Sequence, residues 1–163
     1  MVPGCSRRQR GCSNRERSAV IGQNERAVTV VVDVANVMGA RADGWWRDRA
    51  GAALRLSEQV VALADRGVPA GLMPNGLPDP EGWVLVLEGR SRDAAADAVA
   101  AANAATAAVR VVAAPGSGDD EIVAEVVSLG GACLVVTADR ELRRRCESAG
   151  ATVTGPGWLL RLL

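Results

Sequence analysis

Three short apolar runs in this chain each end in acidic residues, and that arrangement leaves few folds open. VTVVVDVAN delivers Asp33 and Asn36, VRVVAAPGSGDDEIV delivers Asp119, Asp120 and Glu121, and CLVVTADREL delivers Asp139 and Glu141. Runs of strand length rich in Val, with no polar alternation, read as strands buried on both faces. Val28–Asp33 is such a run, and further strands are expected at Trp83–Leu87, Val109–Ala113, Ala132–Val136 and, shorter, Ala151–Thr154. Helical signals lie between them. From about Trp46 to Arg66 an apolar stripe passes through Ala50, Ala53, Leu54, Val60, Val61 and Leu63, and Gly67 closes it. Asp93–Ala108 is Ala-rich and helix-favouring. Ser117 is placed to N-cap a helix running from Gly118 to about Leu129 with acids in its first turn. Asp139–Ala149 reads as a helix ending at Gly150, and Gly157–Leu163 as a last helical turn. The segment with Met38, Gly39, Trp45 and Trp46 reads as loop, as does Gly71–Gly82 with Pro74, Pro78 and Pro80. Strands alternating with helices predict a three-layer α/β sandwich, with a central parallel sheet of four to five strands flanked by helices.

In such a sheet the carboxyl ends of the strands face one crevice, where ligands bind. The acidic clusters would converge there and repel each other unless a cation lay between them. Hard oxygen donors suit Mg²⁺ or Mn²⁺, and hydrolysis of a phosphate ester is the chemistry most often built on such a site. Asp33 interrupts an apolar run, where an unpaired charge is costly. Acids at the start of a helix, as at Asp119–Glu121, also have a purely structural use, and Asp139 is placed to cap its own helix. The coincidence of the three favours a site.

Composition narrows the chemistry. The 163 residues suit one domain with a real core. There is no His, which excludes Ser-His-Asp and Cys-His catalysis and His-ligated zinc. There is no Lys, which excludes the P-loop lysine and Schiff-base chemistry. No G-x-G-x-x-G follows the first strand, so the dinucleotide fingerprint is missing. Cys5, Cys12, Cys133 and Cys146 form no C-x-x-C pair, and Cys133 reads as a small buried hydrophobe. A net charge of zero gives no global field for nucleic acid. Locally, Arg41, Arg47 and Arg49 flank Trp45 and Trp46, a pattern able to hold single strands by phosphate contact and stacking. The same indoles could simply pack a helix onto the sheet.

Residues 1–26 carry six arginines with little apolar content and read as a disordered, Arg-rich tail, or as an extension from an upstream start codon. The domain is expected over 27–163. Deleting residues 1–25 should leave the melting temperature nearly unchanged, and a fall of several degrees in a thermal melt would show that this segment packs on the domain. With no secretory signal and no membrane-length apolar stretch, a cytoplasmic protein without membrane partners is the default expectation. Oligomeric state stays open, a homodimer included.

The three motifs together resemble a known family. VVVDVANVMG is similar to the opening strand of NYN-type domains of the PIN-like nuclease superfamily, GDDEIV to their acidic helix start, and VVTADREL to their late strand followed by T-x-D. The resemblance covers roughly residues 27–155. It implies metal-dependent cleavage of RNA. Asp33 matches the first metal-binding acid and Asn36 its polar partner. Asp119 matches the acid of the helix start, with Asp120 adjacent, and Asp139 the late acid, with Thr137 orienting it. Glu141 sits where many members carry a further acid. The acid expected on the helix after the first strand has only Glu58 as a counterpart. Arg140 would neutralise charge on the transferring phosphoryl group, while Arg41 and Trp45 would contact substrate. The rivals are a metal-dependent phosphohydrolase acting on free nucleotides and a non-catalytic RNA- or partner-binding module.

Overall fold

The computed structural model describes residues 27–163, so the expected tail lies outside the described residues. Five strands run β1 (Val28–Asp33), β2 (Pro80–Leu87), β3 (Val109–Ala113), β4 (Cys133–Val136) and β5 (Thr152–Thr154). All pair in parallel, in the order β3-β2-β1-β4-β5. The helices are α1 (Val34–Gly39), α2 (Arg49–Arg66), α3 (Ala95–Ala104), α4 (Gly118–Ser128), α5 (Arg140–Ser148) and α6 (Pro156–Leu160), with 3₁₀ turns at Trp45–Arg47, Pro74–Gly76 and Gly89–Ala94. This is the expected α/β sandwich.

The strands show why the apolar runs are continuous. On β1, Val28, Val30 and Val32 face one core and Val31 the other. On β2, Trp83, Leu85 and Leu87 join the first core while Val84 and Val86 join the second. Period-two side chains with helices on both faces leave no polar side to the sheet. The first core is closed by α2 through Ala53, Leu56, Val60 and Leu63, and by Trp158 and Leu159 of α6. The second is closed by Ile122 and Val126 of α4 and Leu142 and Cys146 of α5. Cys133 and Cys146 are both free and buried there, and burial pushes each thiol up to about 11. No described helix is long and apolar enough to cross a membrane.

Four of the departures from expectation have a specific structural reason. The segment after β1 is a short helix rather than loop, because the Asp33 carboxylate accepts the Asn36 N–H at 3.0 Å and starts a helical turn. The helix expected from Trp46 starts at Arg49 instead, capped by Asp48, whose side chain accepts the Gly51 N–H. β2 begins at Pro80, within the expected loop, where proline is tolerated as a first strand residue. The Ala-rich helix is shorter than its propensity allows. Its start is taken by the 3₁₀ turn, and at its end Asp65 Oδ1 accepts the N–H groups of both Thr106 and Ala107 at 2.8 Å. A tertiary hydrogen bond pair therefore overrides helix propensity there.

Candidate active site

The strand order reverses direction between β1 and β4, and an open α/β sheet presents its ligand crevice at that point. Asp33 ends β1 there, and Thr137 follows β4. The Thr137 hydroxyl donates to Asp33 Oδ2 at 2.9 Å and accepts the Asp139 N–H at 3.1 Å. The Asn36 side-chain oxygen accepts the Ala138 N–H at 2.8 Å. These bonds stitch the two strand ends together. Thr137 is fully buried, so its hydroxyl has no water to turn to. It fixes the Asp33 carboxylate and touches Asp139 only through the backbone, so its orienting role falls on a different acid from the one the motif suggested.

The resulting cleft has a volume of about 480 Å³ and is lined by Asp33, Asn36, Glu88, Asp119 and Asp139 among others. Four carboxylates thus come from four different strand ends. Asp119 lies in the first turn of α4, and Asp139 caps α5 by accepting the Leu142 N–H at 2.8 Å. Glu88 escaped the sequence reading. Its signal was the same as the others: VLVLEG is an apolar run closed by an acid. Its Oε2 accepts the Gly118 N–H at 2.9 Å, so it holds the start of α4 where Ser117 was expected to cap; the Ser117 side chain makes no cap bond. A carboxylate at that position is favoured by the helix dipole.

The cleft is electrostatically tense. Asp33 is 7% exposed. Burial pushes its carboxyl up to about 6, the Asn36 and Thr137 bonds pull it down, and the charges of Glu88 and Asp119 push it up again. Burial also raises the Asp119 carboxyl, as do the charges of Asp139 and Glu88, against the pull of Arg145. Burial is the main cause of both shifts, and the neighbouring carboxylates add to it.

The other expected residues lie elsewhere. Asp120 pairs with Arg145 at 2.6 Å, and Glu141 pairs with Arg144 one helical turn on. Neither lines the cleft, nor does Arg140, which opens α5 and is exposed. Glu58 is exposed on α2. Arg41 donates to Gln59 Oε1 at 2.7 Å, and Trp45 lines an adjoining hollow.

No protein-family model matches the chain, and no curated protein matches it. Among solved structures it is similar to Rae1 (YacP) from Bacillus subtilis, with a TM-score of 0.55 over 82% of this chain and 73% of that chain, at 15% identity. The chain shares its fold with Rae1. At this identity the likeness is one of architecture: a five-stranded all-parallel sheet between helices, as the PIN-like resemblance implies.

An all-oxygen donor set suits a hard divalent cation. Among the described residues, however, no three acidic or cysteine side chains stand close enough to hold one ion between them. Mg²⁺ commonly keeps several waters and takes one or two protein carboxylates. The cleft therefore fits a hydrated ion better than a closed carboxylate cage.

Proposed function

We propose that this protein is a metal-dependent ribonuclease that hydrolyses phosphodiester bonds in the acidic cleft. One observation carries the reading: Asp33, Glu88, Asp119 and Asp139 line a single cleft at the strand-order reversal, an all-oxygen set that a hard divalent cation would suit. The order of the D-x-x-N, D-D-E-I and T-x-D motifs adds the PIN-like resemblance.

In this reading Asp33 and Asp119 hold Mg²⁺ or Mn²⁺, with Glu88 and Asp139 in reach through water. When bound, the ion would supply charge neutralisation and would polarise a bound water, lowering its pKa below that of bulk water. The chain's own residues do the rest. Each Asp33 oxygen spends one lone pair on Asn36 or Thr137 and keeps another for the cleft. Thr137 and Asn36 fix the spacing of the β1 and β4 ends on which Asp33 and Asp139 stand. With neither His nor Lys in the chain, proton traffic rests on carboxylates and water.

The test is a Mn²⁺ titration with a labelled RNA and a nucleoside triphosphate assayed side by side. Saturable, metal-dependent cleavage of the RNA supports the reading. Turnover of the triphosphate alone would replace it with a nucleotide phosphohydrolase. Inertness toward both, with metal bound, would leave a binding module.

A further inference from the structure

The acidic cleft does not end at Glu88. Ala35 and Glu88 also line a second hollow of about 140 Å³, whose other walls include Met38, Trp45, Arg49 and Arg90. Arg49 and Arg90 in turn line a third hollow of about 180 Å³, with Trp46, Arg47, Asp48 and Asp93. The shared lining residues place the three side by side on one surface. Their character changes along the way, from carboxylates in the first to guanidinium groups and indoles in the others.

The local backbone explains how the two indoles differ. Gly44 takes a left-handed conformation (φ 80°), which turns the chain into the 3₁₀ turn Trp45–Arg47. Trp45 packs against the first core, and the Arg49 guanidinium lies 5.2 Å from its ring centroid. Trp45 is therefore covered. Trp46 stands edge-on to it, with centroids 6.2 Å apart and planes at 85°, and is 57% exposed. Packing of the helix start thus leaves much of Trp46 in water, open to a ligand.

The charges point the same way. Among the described residues, Arg47, Arg49 and Arg90 enter no ion pair. Asp48 faces Arg55 at 3.7 Å and caps Gly51, which leaves Asp93 as the uncommitted acid in the third hollow. Other arginines nearby are occupied: Arg41 with Gln59, and Arg92 with the carbonyls of Gly89, Ala114 and Pro115. Arg47 and Arg90 are uncommitted, while Arg49 lies over Trp45; guanidinium groups beside an open indole face are the equipment for phosphate contact and base stacking.

We propose that this run of hollows binds a single-stranded RNA segment next to the scissile phosphate, with Arg49, Arg90 and Arg47 on successive phosphates and a base stacked on Trp46. The inference rests on the ribonuclease reading and gives its substrate a strand state and a direction across the surface. Bases of a duplex are already stacked on each other, so a duplex cannot use Trp46 in this way.

The test is fluorescence anisotropy on the full chain with a labelled single-stranded RNA of about a dozen nucleotides, in EDTA to prevent turnover, across a salt series. Trp46→Ala should weaken binding about tenfold and leave the salt slope unchanged, because it removes stacking alone. Arg90→Ala should weaken binding and reduce the slope of log affinity against log salt by about 0.7, the share of one phosphate contact on a single strand. Both side chains are exposed, so melting temperatures should match the wild type. A duplex of the same sequence should bind more weakly and ignore Trp46→Ala. Unchanged binding in both variants, or a preference for duplex, overturns the path. Metal-dependent cleavage by the wild type is read separately. Cleavage with variant-insensitive binding removes the path alone, whereas variant-sensitive binding without cleavage removes the nuclease reading and keeps the RNA path.

Discussion

Asp33→Asn is expected to cut metal-dependent RNA cleavage by orders of magnitude while making the metal-free protein more stable at neutral pH. The two effects have one source. Asp33 is a nearly buried carboxylate facing Glu88 and Asp119, and its carboxyl sits at about 6 in the fold against an ordinary 3.8. A folded value above the unfolded one means that folding favours the protonated form. The associated stability is complete below about pH 4 and is lost as the pH rises through 6. A shift of about two units corresponds to about 3 kcal/mol. The Asn variant has no charge to desolvate and escapes this loss. Its stability advantage over wild type should therefore grow between pH 4 and 6 and level off above. Asn can still accept from the Asn36 N–H and donate to the Thr137 oxygen, but the Thr137 O–H loses its acceptor, which offsets part of the gain. Urea melts across this pH range, with and without Mn²⁺, provide the check. Mn²⁺ should stabilise the wild type by binding only the folded state and should stabilise the variant far less. A variant about 1–3 kcal/mol less stable than wild type at pH 7, with an unaltered metal response, would mean that the carboxylate is structural and the site reading is wrong.

Much of this arrangement was legible in the residues. A buried parallel strand leaves a continuous apolar run, so β1, β3 and β4 could be read almost to the residue. Asp33 closes such a run with little structural excuse, whereas Asp119 and Asp139 each had a helix-start use and stood out only through their coincidence with it. Glu88 closes β2 in the same manner, but as a single acid followed by Gly89 and Arg90 it lacked a motif to draw the eye. Long-range pairings were not legible. Asp65 ends the Ala-rich helix from 41 residues away, and Glu88 takes over the cap position at Gly118 from 30 residues away. Nothing local marks either acid for its task. Asp120 and Glu141 show the converse. They sit beside true cleft residues in sequence, yet the helical turn points them at Arg145 and Arg144. Adjacent residues on a helix face different directions, so a run of acids cannot all reach one site.

The Thr137 hydroxyl is the other place where a small change should have a large effect. Thr137→Val preserves shape and volume but removes the donor to Asp33 Oδ2 and the acceptor of the Asp139 N–H. Both partners sit in a region where Thr137 itself is fully buried. Leaving them unpaired should cost about 1–3 kcal/mol at pH 7. Part of that cost depends on charge, and its sign can be fixed in advance. The Thr137 bond lowers the Asp33 carboxyl, so its loss moves the folded value further above the unfolded one. The added penalty is then present where the folded Asp33 is ionised and fades as the pH falls through 6 toward 4, where the folded carboxyl is protonated in wild type and variant alike. Urea melts at pH 4 and pH 7.5 should show a smaller deficit at the lower pH. A double-mutant cycle sharpens the outcome. If the hydroxyl acts mainly on the Asp33 charge, Thr137→Val should be less damaging in an Asp33→Asn background than in the wild type, with a coupling of about 0.5–3 kcal/mol. A deficit that is equal at both pH values and additive with Asp33→Asn would assign Thr137 to backbone support of the β4 end alone. Activity would then fall only in step with stability, whereas a hydroxyl that holds Asp33 in place should lose metal affinity even where the variant is fully folded.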